Sequence, residues 1–190
     1  MFKIVVIGAS SGGLSAIKVL LQNLPKDLES PIVIVQHRHR DSCNKLGELL
    51  QQDTALTVRE VEDKDEILSG YVYLAPADYH LLIESGYFAL SIDAPVSYAR
   101  PSIDVLFESA ADVYGKQVIA VILTGANEDG VQGLRMVKSN FGIAIVQEPT
   151  DAEYAVMPKA AITAVAVDWI LPLEEIAKKL VYLCHYNIKK

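Results

Sequence analysis

Two adjacent serines, Ser10 and Ser11, lie among small residues in the run IGASSGG. A histidine, His37, ends PIVIVQH, and Asp129 lies in GANEDG after the apolar run QVIAVILT. A serine hydroxyl becomes a nucleophile when a base takes its proton. A carboxylate can hold that base in one tautomer and stabilise its cation. Chain order does not matter, because such a triad is defined by geometry. Small neighbours let a substrate approach the serine, and the N-terminus of a following helix favours a developing oxyanion. Two other chemistries suit the same turn. Gly8, Gly12 and Gly13 could let backbone N–H groups cradle a phosphate, although G-x-x-x-G-G is neither G-x-G-x-x-G nor a P-loop. Ser10 or Ser11 could instead cap a helix, and the turn taken alone favours that reading. Partners elsewhere in the chain must decide.

The elements that would position these residues read as alternating strands and helices. Ile4 to Gly8 is a short β-branched run ended by glycine, and Leu14, Ile17, Leu20 and Leu21 then recur at helical spacing. PIVIVQ (31–36) follows as a second strand, which makes a right-handed βαβ unit. Residues 44–52 suggest a short helix, and 56–61 and 71–76 suggest strands. HLLIE (80–84) and YFALSI (87–92), separated by Ser85-Gly86, predict an antiparallel hairpin and hence a sheet mixed at one edge. Ser102 reads as the N-cap of a helix with Asp104 in its first turn; Val105, Leu106, Ser109 and Val113 carry its spacing and Gly115 ends it. Strands at 117–124, 142–147 and 166–171 alternate with helices beginning near Val131, near Pro158 as a first helical position, and over LEEIAKKLVYLCHY. The expected architecture is a doubly wound, mostly parallel α/β sheet with helices on both faces, a Rossmann-like three-layer fold. Ser10, His37 and Asp129 each follow a strand at its carboxyl end, the edge where open α/β sheets bind ligands.

With 190 residues and no repeat or linker, one domain over 1–190 is expected. The chain is 51% hydrophobic and 22% charged, the balance of a globular domain. Its net charge of −7 argues against non-specific nucleic-acid binding. No apolar run reaches membrane-spanning length, and the N-terminus does not read as a secretory signal. Two cysteines, Cys43 and Cys184, are too few for a disulfide framework, so reduced thiols and a cytoplasmic location are expected.

His37, His39 and Cys43 invite a zinc reading, but a fourth ligand in a recognisable pattern is missing, so no metal and no cofactor is expected. His37, Arg38 and Arg40 could meet the 2′-phosphate of NADP in an oxidoreductase. Against that, the glycine pattern is wrong and the only Tyr-x-x-x-Lys spacing is Tyr186 to Lys190 at the terminus. A non-catalytic signalling adaptor is a third reading, opposed by the presence of all three triad residues.

IGASSGG, VQH, RPSIDVLFESAA, VILTGANEDG and VMPKAA occur in an order and spacing that resembles the catalytic domain of bacterial chemotaxis receptor methylesterases (CheB-type), from about residue 3 to about residue 172. The resemblance implies Ser10 as nucleophile, His37 as base and Asp129 as acid. It implies hydrolysis of γ-methyl-glutamate esters on a receptor helix, and deamidation of receptor glutamines. Ser11, Gly12 and Ala126 would surround the oxyanion, with Ser11 better placed to cap the helix or contact His37. A methylated chemoreceptor or related signalling protein would be the partner, alongside a methyltransferase and two-component proteins; nucleic acid and membrane insertion are not implied. Ala126, Asn127 and Glu128 stand where well-studied members have Met, Gly and Asn, and the extra charge of Glu128 would oppose an oxyanion unless it points away. Arg38-His39-Arg40-Asp41 replaces a segment usually containing proline and glycine. The chain begins at the catalytic strand, so a receiver domain acting in cis is not expected. Because such receptor helices are rich in glutamate, Arg38, Arg40 and Arg100 are expected to ring the cleft and meet carboxylates beside the ester.

Overall fold

The computed structural model describes residues 3–38 and 45–186. Its first strand, β1 (Ile4–Ala9), is buried at every position. Side chains alternate across a strand. Ile4 and Val6 therefore enter one hydrophobic cluster, and Val5, Ile7 and Ala9 enter the other. Only a strand covered on both faces tolerates such a run.

The chain continues through α1 (Gly13–Gln22), β2 (Ile32–Gln36), α2 (Leu46–Gln51), β3 (Thr57–Glu60) and β4 (Tyr71–Leu74). A hairpin of β5 (His80–Ile83) and β6 (Phe88–Ser91) precedes α3 (Ile103–Tyr114) and β7 (Val118–Ile122). The remainder is α4 (Val131–Ser139), β8 (Ile143–Gln147), α5 (Val156–Ala164), β9 (Trp169–Leu171) and α6 (Leu173–Tyr186). Seven strands form one sheet in the order β3-β4-β2-β1-β7-β8-β9, and every pairing in it is parallel. The winding reverses at β1, which pairs with β2 on one side and β7 on the other. That switch point opens a crevice at the carboxyl ends of those three strands.

Residues of α1, α2 and α6 fill one face of the sheet, with Ile17, Leu20, Leu50 and Leu180 fully buried. Residues of α3, α4 and α5, with the hairpin, fill the other, through Phe107, Leu134, Met157 and Phe88. Among the described residues no helix is long and apolar enough to cross a membrane.

The hairpin forms as expected, but it does not join the sheet. It forms a separate two-stranded sheet, exchanges backbone hydrogen bonds with the preceding segment (Lys64 N–H to the Phe88 carbonyl at 3.0 Å, Phe88 N–H to the Asp65 carbonyl at 2.9 Å), and packs on α3, where Ile83 N–H donates to Ser109 Oγ at 3.0 Å. β4 already has strands on both sides. The edge strand β3 is occupied as well: Gln51 accepts the Val58 N–H and donates to the Leu56 carbonyl, both at 2.9 Å.

Three finer expectations shift. Leu14 is more than a third exposed, and the buried stripe of α1 is Gly13, Ala16, Ile17, Leu20 and Leu21. In α3 the buried stripe is Ile103, Leu106, Phe107, Ala110 and Ala111, while Val105, Ser109 and Val113 are half-buried. In α3 the arc facing the sheet is rotated by about one residue from the sequence pattern, whereas in α1 Ile17, Leu20 and Leu21 are buried as that pattern predicts. Pro158 is the third residue of α5 rather than the first, a position whose N–H also lacks an intrahelical partner.

Candidate active site

Ser10 follows β1 directly. Its backbone N–H donates to the Thr124 carbonyl at 3.0 Å, tying it to the end of β7, and its carbonyl accepts from Gly13 N–H at 2.9 Å. Gly12 completes the turn at φ +76°, in the left-handed region that favours glycine. A Cβ on Gly13 would come within 2.0 Å of Gln36 Oε1, so this glycine lets α1 start hard against β2. Gly12 is the N-cap of α1 and no side chain caps that helix. The capping reading of the serines is thereby overturned. Thr124 Oγ1 donates to the Ser11 carbonyl at 2.9 Å, so it is the backbone of Ser11 that holds the turn.

His37 extends β2 by one residue, its backbone N–H reaching the Ala9 carbonyl at 2.9 Å. Gln36 Nε2 braces the junction by donating to the carbonyls of Ser10 and His37 at 2.8 and 2.9 Å. The imidazole Nδ1 lies 3.3 Å from Ser10 Oγ, and Nε2 lies 2.7 Å from Asp129 Oδ2. The serine that meets His37 is therefore Ser10, contrary to the expectation for Ser11. Asp129 can only accept here, so Nε2 carries the hydrogen and Nδ1 offers its lone pair to the serine.

The Asp129 side chain is fully buried, and α3 holds it with three donors. Oδ1 accepts from Ser102 Oγ at 2.8 Å and Asp104 N–H at 3.1 Å, and Oδ2 accepts from Ile103 N–H at 2.6 Å. Carboxylates are favoured at a helix N-terminus. Burial, the largest single influence, pushes the Asp129 carboxyl up, but His37 and the backbone donors together outweigh it and hold the group below its usual range. Directly behind, Asp104 accepts from Gly133 N–H at 2.8 Å. Burial, then the charge of Asp129, raises its carboxyl to about 6.

Ser10, His37 and Asn127 line a cleft of about 640 Å³ together with Arg38, Tyr98 and Arg100. Among the described residues, the backbone N–H groups of Ser11, Gly12 and Ala126 donate to no other protein group. Glu128 is exposed and lines a different groove, between α4 and α5. Its charge points away from Ser10.

Arg38 and Arg100 line the cleft as expected, and each is engaged by a carboxylate of the protein itself. The Arg38 side chain is only 8% exposed and is paired with Glu60 at the end of β3, with a further bond to the Ala75 carbonyl. Arg100 grips Asp78 at 2.6 Å and the carbonyls of Ile92 and Asp93 at 2.7 and 3.0 Å, so it clamps the loop beside the cleft. Arg40, like His39 and Cys43, lies outside the described residues.

Sequence reasoning missed two contributors. Ser102 was legible as an N-cap, and its second role follows from the pull of a helix N-terminus on an anion. Asn127 places its amide Nδ2 3.1 Å from His37 Nδ1, a contact foreshadowed only by a polar side chain two positions before Asp129.

Comparison with known proteins bears on this arrangement. The family described as CheB methylesterase matches residues 5–180. A Leptospira interrogans protein, provisionally named protein-glutamate methylesterase/protein-glutamine glutaminase, is 47% identical over all of this chain and 98% of its own length. The Thermotoga maritima protein-glutamate methylesterase/protein-glutamine glutaminase is 37% identical over 95% of this chain, which spans 54% of that relative. The crystal structure of the Thermotoga maritima CheB methylesterase catalytic domain superposes with a TM-score of 0.93 at 37% identity, covering 96% of this chain and 99% of that one. The family match over most of its length, together with these likenesses in sequence and fold, shows that the chain belongs to the CheB methylesterase family.

Proposed function

We propose that this chain hydrolyses γ-glutamyl methyl esters on a signalling protein through Ser10, His37 and Asp129. The observation that carries the reading is the His37 ring, which faces Ser10 Oγ with one nitrogen and a buried, thrice-held Asp129 with the other.

In the reaction His37 Nδ1 takes the Ser10 proton as Oγ bonds to the ester carbonyl carbon. Negative charge on the carbonyl oxygen is met by the open N–H groups of Ser11, Gly12 or Ala126. The imidazolium, steadied by Asp129, passes its proton to the methoxy oxygen, and methanol leaves. Water then adds to the acyl-enzyme with His37 again as base, and glutamate and free Ser10 are regenerated. A glutamine side chain follows the same course with ammonia as leaving group, so glutaminase activity belongs to the same proposal.

The partner in this reading is a methylated chemoreceptor or receptor-like protein, with a methyltransferase to supply the ester and two-component proteins to govern it. A cytoplasmic setting accords with Cys184, a buried free thiol whose burial, the dominant influence, raises its pKa.

The test is methanol release from a methyl-esterified receptor fragment, with fluorophosphonate labelling alongside. Release that vanishes in Ser10→Ala is expected. A wild-type protein that neither releases methanol nor takes the label would overturn the proposal and favour an adaptor.

A further inference from the structure

Asn127 lines the cleft with Ser10, and its amide reaches the same imidazole nitrogen that the serine needs. Asn127 Nδ2 is 3.1 Å from His37 Nδ1, nearer than Ser10 Oγ at 3.3 Å. The amide orientation is set by its other end, where Oδ1 accepts the Asp129 backbone N–H at 3.3 Å. Turned over, the amide would set its own N–H groups against that donor. Because Nε2–H is committed to Asp129, the neutral ring has a single lone pair, at Nδ1. Two donors therefore compete for one acceptor.

We infer that Asn127 is a latch on the base: at rest its amide occupies the Nδ1 lone pair that must receive the Ser10 proton, and it lets go when a substrate carbonyl enters the cleft. This rests on the Ser10, His37 and Asp129 reading above. Release is required by the chemistry of the first step. Once Nδ1 carries the Ser10 proton it is a donor, and the Asn127 amide nitrogen has no lone pair with which to accept it. Left in place, two N–H groups would face each other. An ester or amide carbonyl entering beside Ser10 displaces the Asn127 amide, which turns to water in the open cleft and frees Nδ1 for the serine. Only hydrogen bonds are exchanged: Asn127 to His37 is broken, Ser10 to His37 is strengthened, and Asn127 to water is formed. In the pattern this chain resembles, a glycine stands at this place, and it has no side chain to act as a latch. Asn127 is a positioning residue at rest, acting on Ser10 through His37.

The experiment uses the whole chain, labelled with ¹⁵N at histidine rings and asparagine amides. A coupling across the hydrogen bond between Asn127 Nδ2 and His37 Nδ1 is expected at rest and is expected to vanish in the fluorophosphonate adduct of Ser10. In Asn127→Gly and Asn127→Ala, labelling of Ser10 is expected to be faster by roughly two- to tenfold, the effect of losing one competing hydrogen bond. No coupling at rest, a coupling that survives in the adduct, or labelling that is equal or slower in both variants overturns the latch. If wild type takes no label at all, it is the triad reading that has failed.

Discussion

Ser102 Oγ donates to Asp129 Oδ1 at 2.8 Å while accepting the Val105 N–H of its own helix at 3.5 Å. One hydroxyl thus starts α3 and fixes the carboxylate that faces His37. Ser102→Ala removes both bonds. The expected result is a stability loss of about 2 kcal/mol, from a lost cap and a lost bond to a charged group. Ester hydrolysis should slow by about tenfold as Asp129 loosens. Thermal melting and a small-ester assay check this, and a melt identical to wild type would count against the double role.

The adjacent serines should separate cleanly. Ser10→Ala is expected to lose at least ~10³-fold in kcat, as removal of a triad nucleophile does. Ser11→Ala should stay within about threefold, because the turn uses its backbone and no side chain caps α1. Peptide mapping of a fluorophosphonate adduct distinguishes them, and label on Ser11 would reverse the assignment.

Asp129→Asn should cost more than activity. Both carboxylate oxygens accept backbone N–H groups, from Ile103 and Asp104, so an amide in either orientation sets a donor against a donor. A fall of about 10⁴-fold in kcat is expected, as for other triads that lose their carboxylate. It should come with about 1–3 kcal/mol of lost stability. A variant as stable as wild type would mean that the α3 donors are not holding the group.

Asp104 gives a pH dependence with a definite sign. Its carboxyl is raised from 3.8 to about 6 by burial first and by Asp129 second, so between those values the folded state binds more protons than the unfolded one. Stability from this group is therefore full at low pH and declines as pH rises from about 4 to 6, by up to about 3 kcal/mol. Asp129 has the opposite sign: its lowered pKa contributes stability above the ordinary carboxyl range and loses it only in stronger acid. Denaturation midpoints from pH 4.5 to 7.5 should fall more steeply for wild type than for Asp104→Asn. Parallel curves would refute the assignment.

Arg100 should matter for protein substrates rather than for chemistry. It holds the segment from Ile92 to Ala99, whose turn places Ser97 and Tyr98 at positive φ and leaves Tyr98 fully exposed beside the cleft. Arg100→Ala is expected to make the chain cleavable by chymotrypsin at Tyr98 and to raise KM for a methylated receptor fragment. The kcat for a small ester should change by less than about threefold. Equal losses on both substrates would return Arg100 to the catalytic centre.

The sequence carried the sheet and its functional edge because those depend on local signals. A β-branched run ended by small residues marks β1, and LEEIAKKLVYLCHY spans the same residues as α6. Ser10, His37 and Asp129 were legible because each closes a buried strand or the loop after it. What was not legible depends on partners far along the chain. Arg38 reads as a free loop cation until β3 brings Glu60 beside it, 22 residues on. The hairpin signal predicts antiparallel pairing but says nothing of which surface it will cover, and here α3 supplies that surface. Leu14 fits a helical stripe by spacing, yet in the first turn of α1 it is Gly13, pressed against Gln36 of β2, that faces the sheet, and Leu14 is left exposed.

The bonds from Gln51 to Val58 and Leu56 have a consequence for what can enter the cleft. An extended peptide commonly reaches an enzyme by lying along an exposed sheet margin and completing its ladder. Here β3, the margin on the Arg38 side, is four residues long and has one of its own donors already satisfied by Gln51. A substrate segment therefore gains little by unfolding to bind there. On the proposed reading, the esterified side chain is delivered from a scaffold that keeps its own backbone hydrogen bonds, such as a helix resting across the cleft mouth, so that the enzyme acts on a side chain without remodelling the chain that bears it.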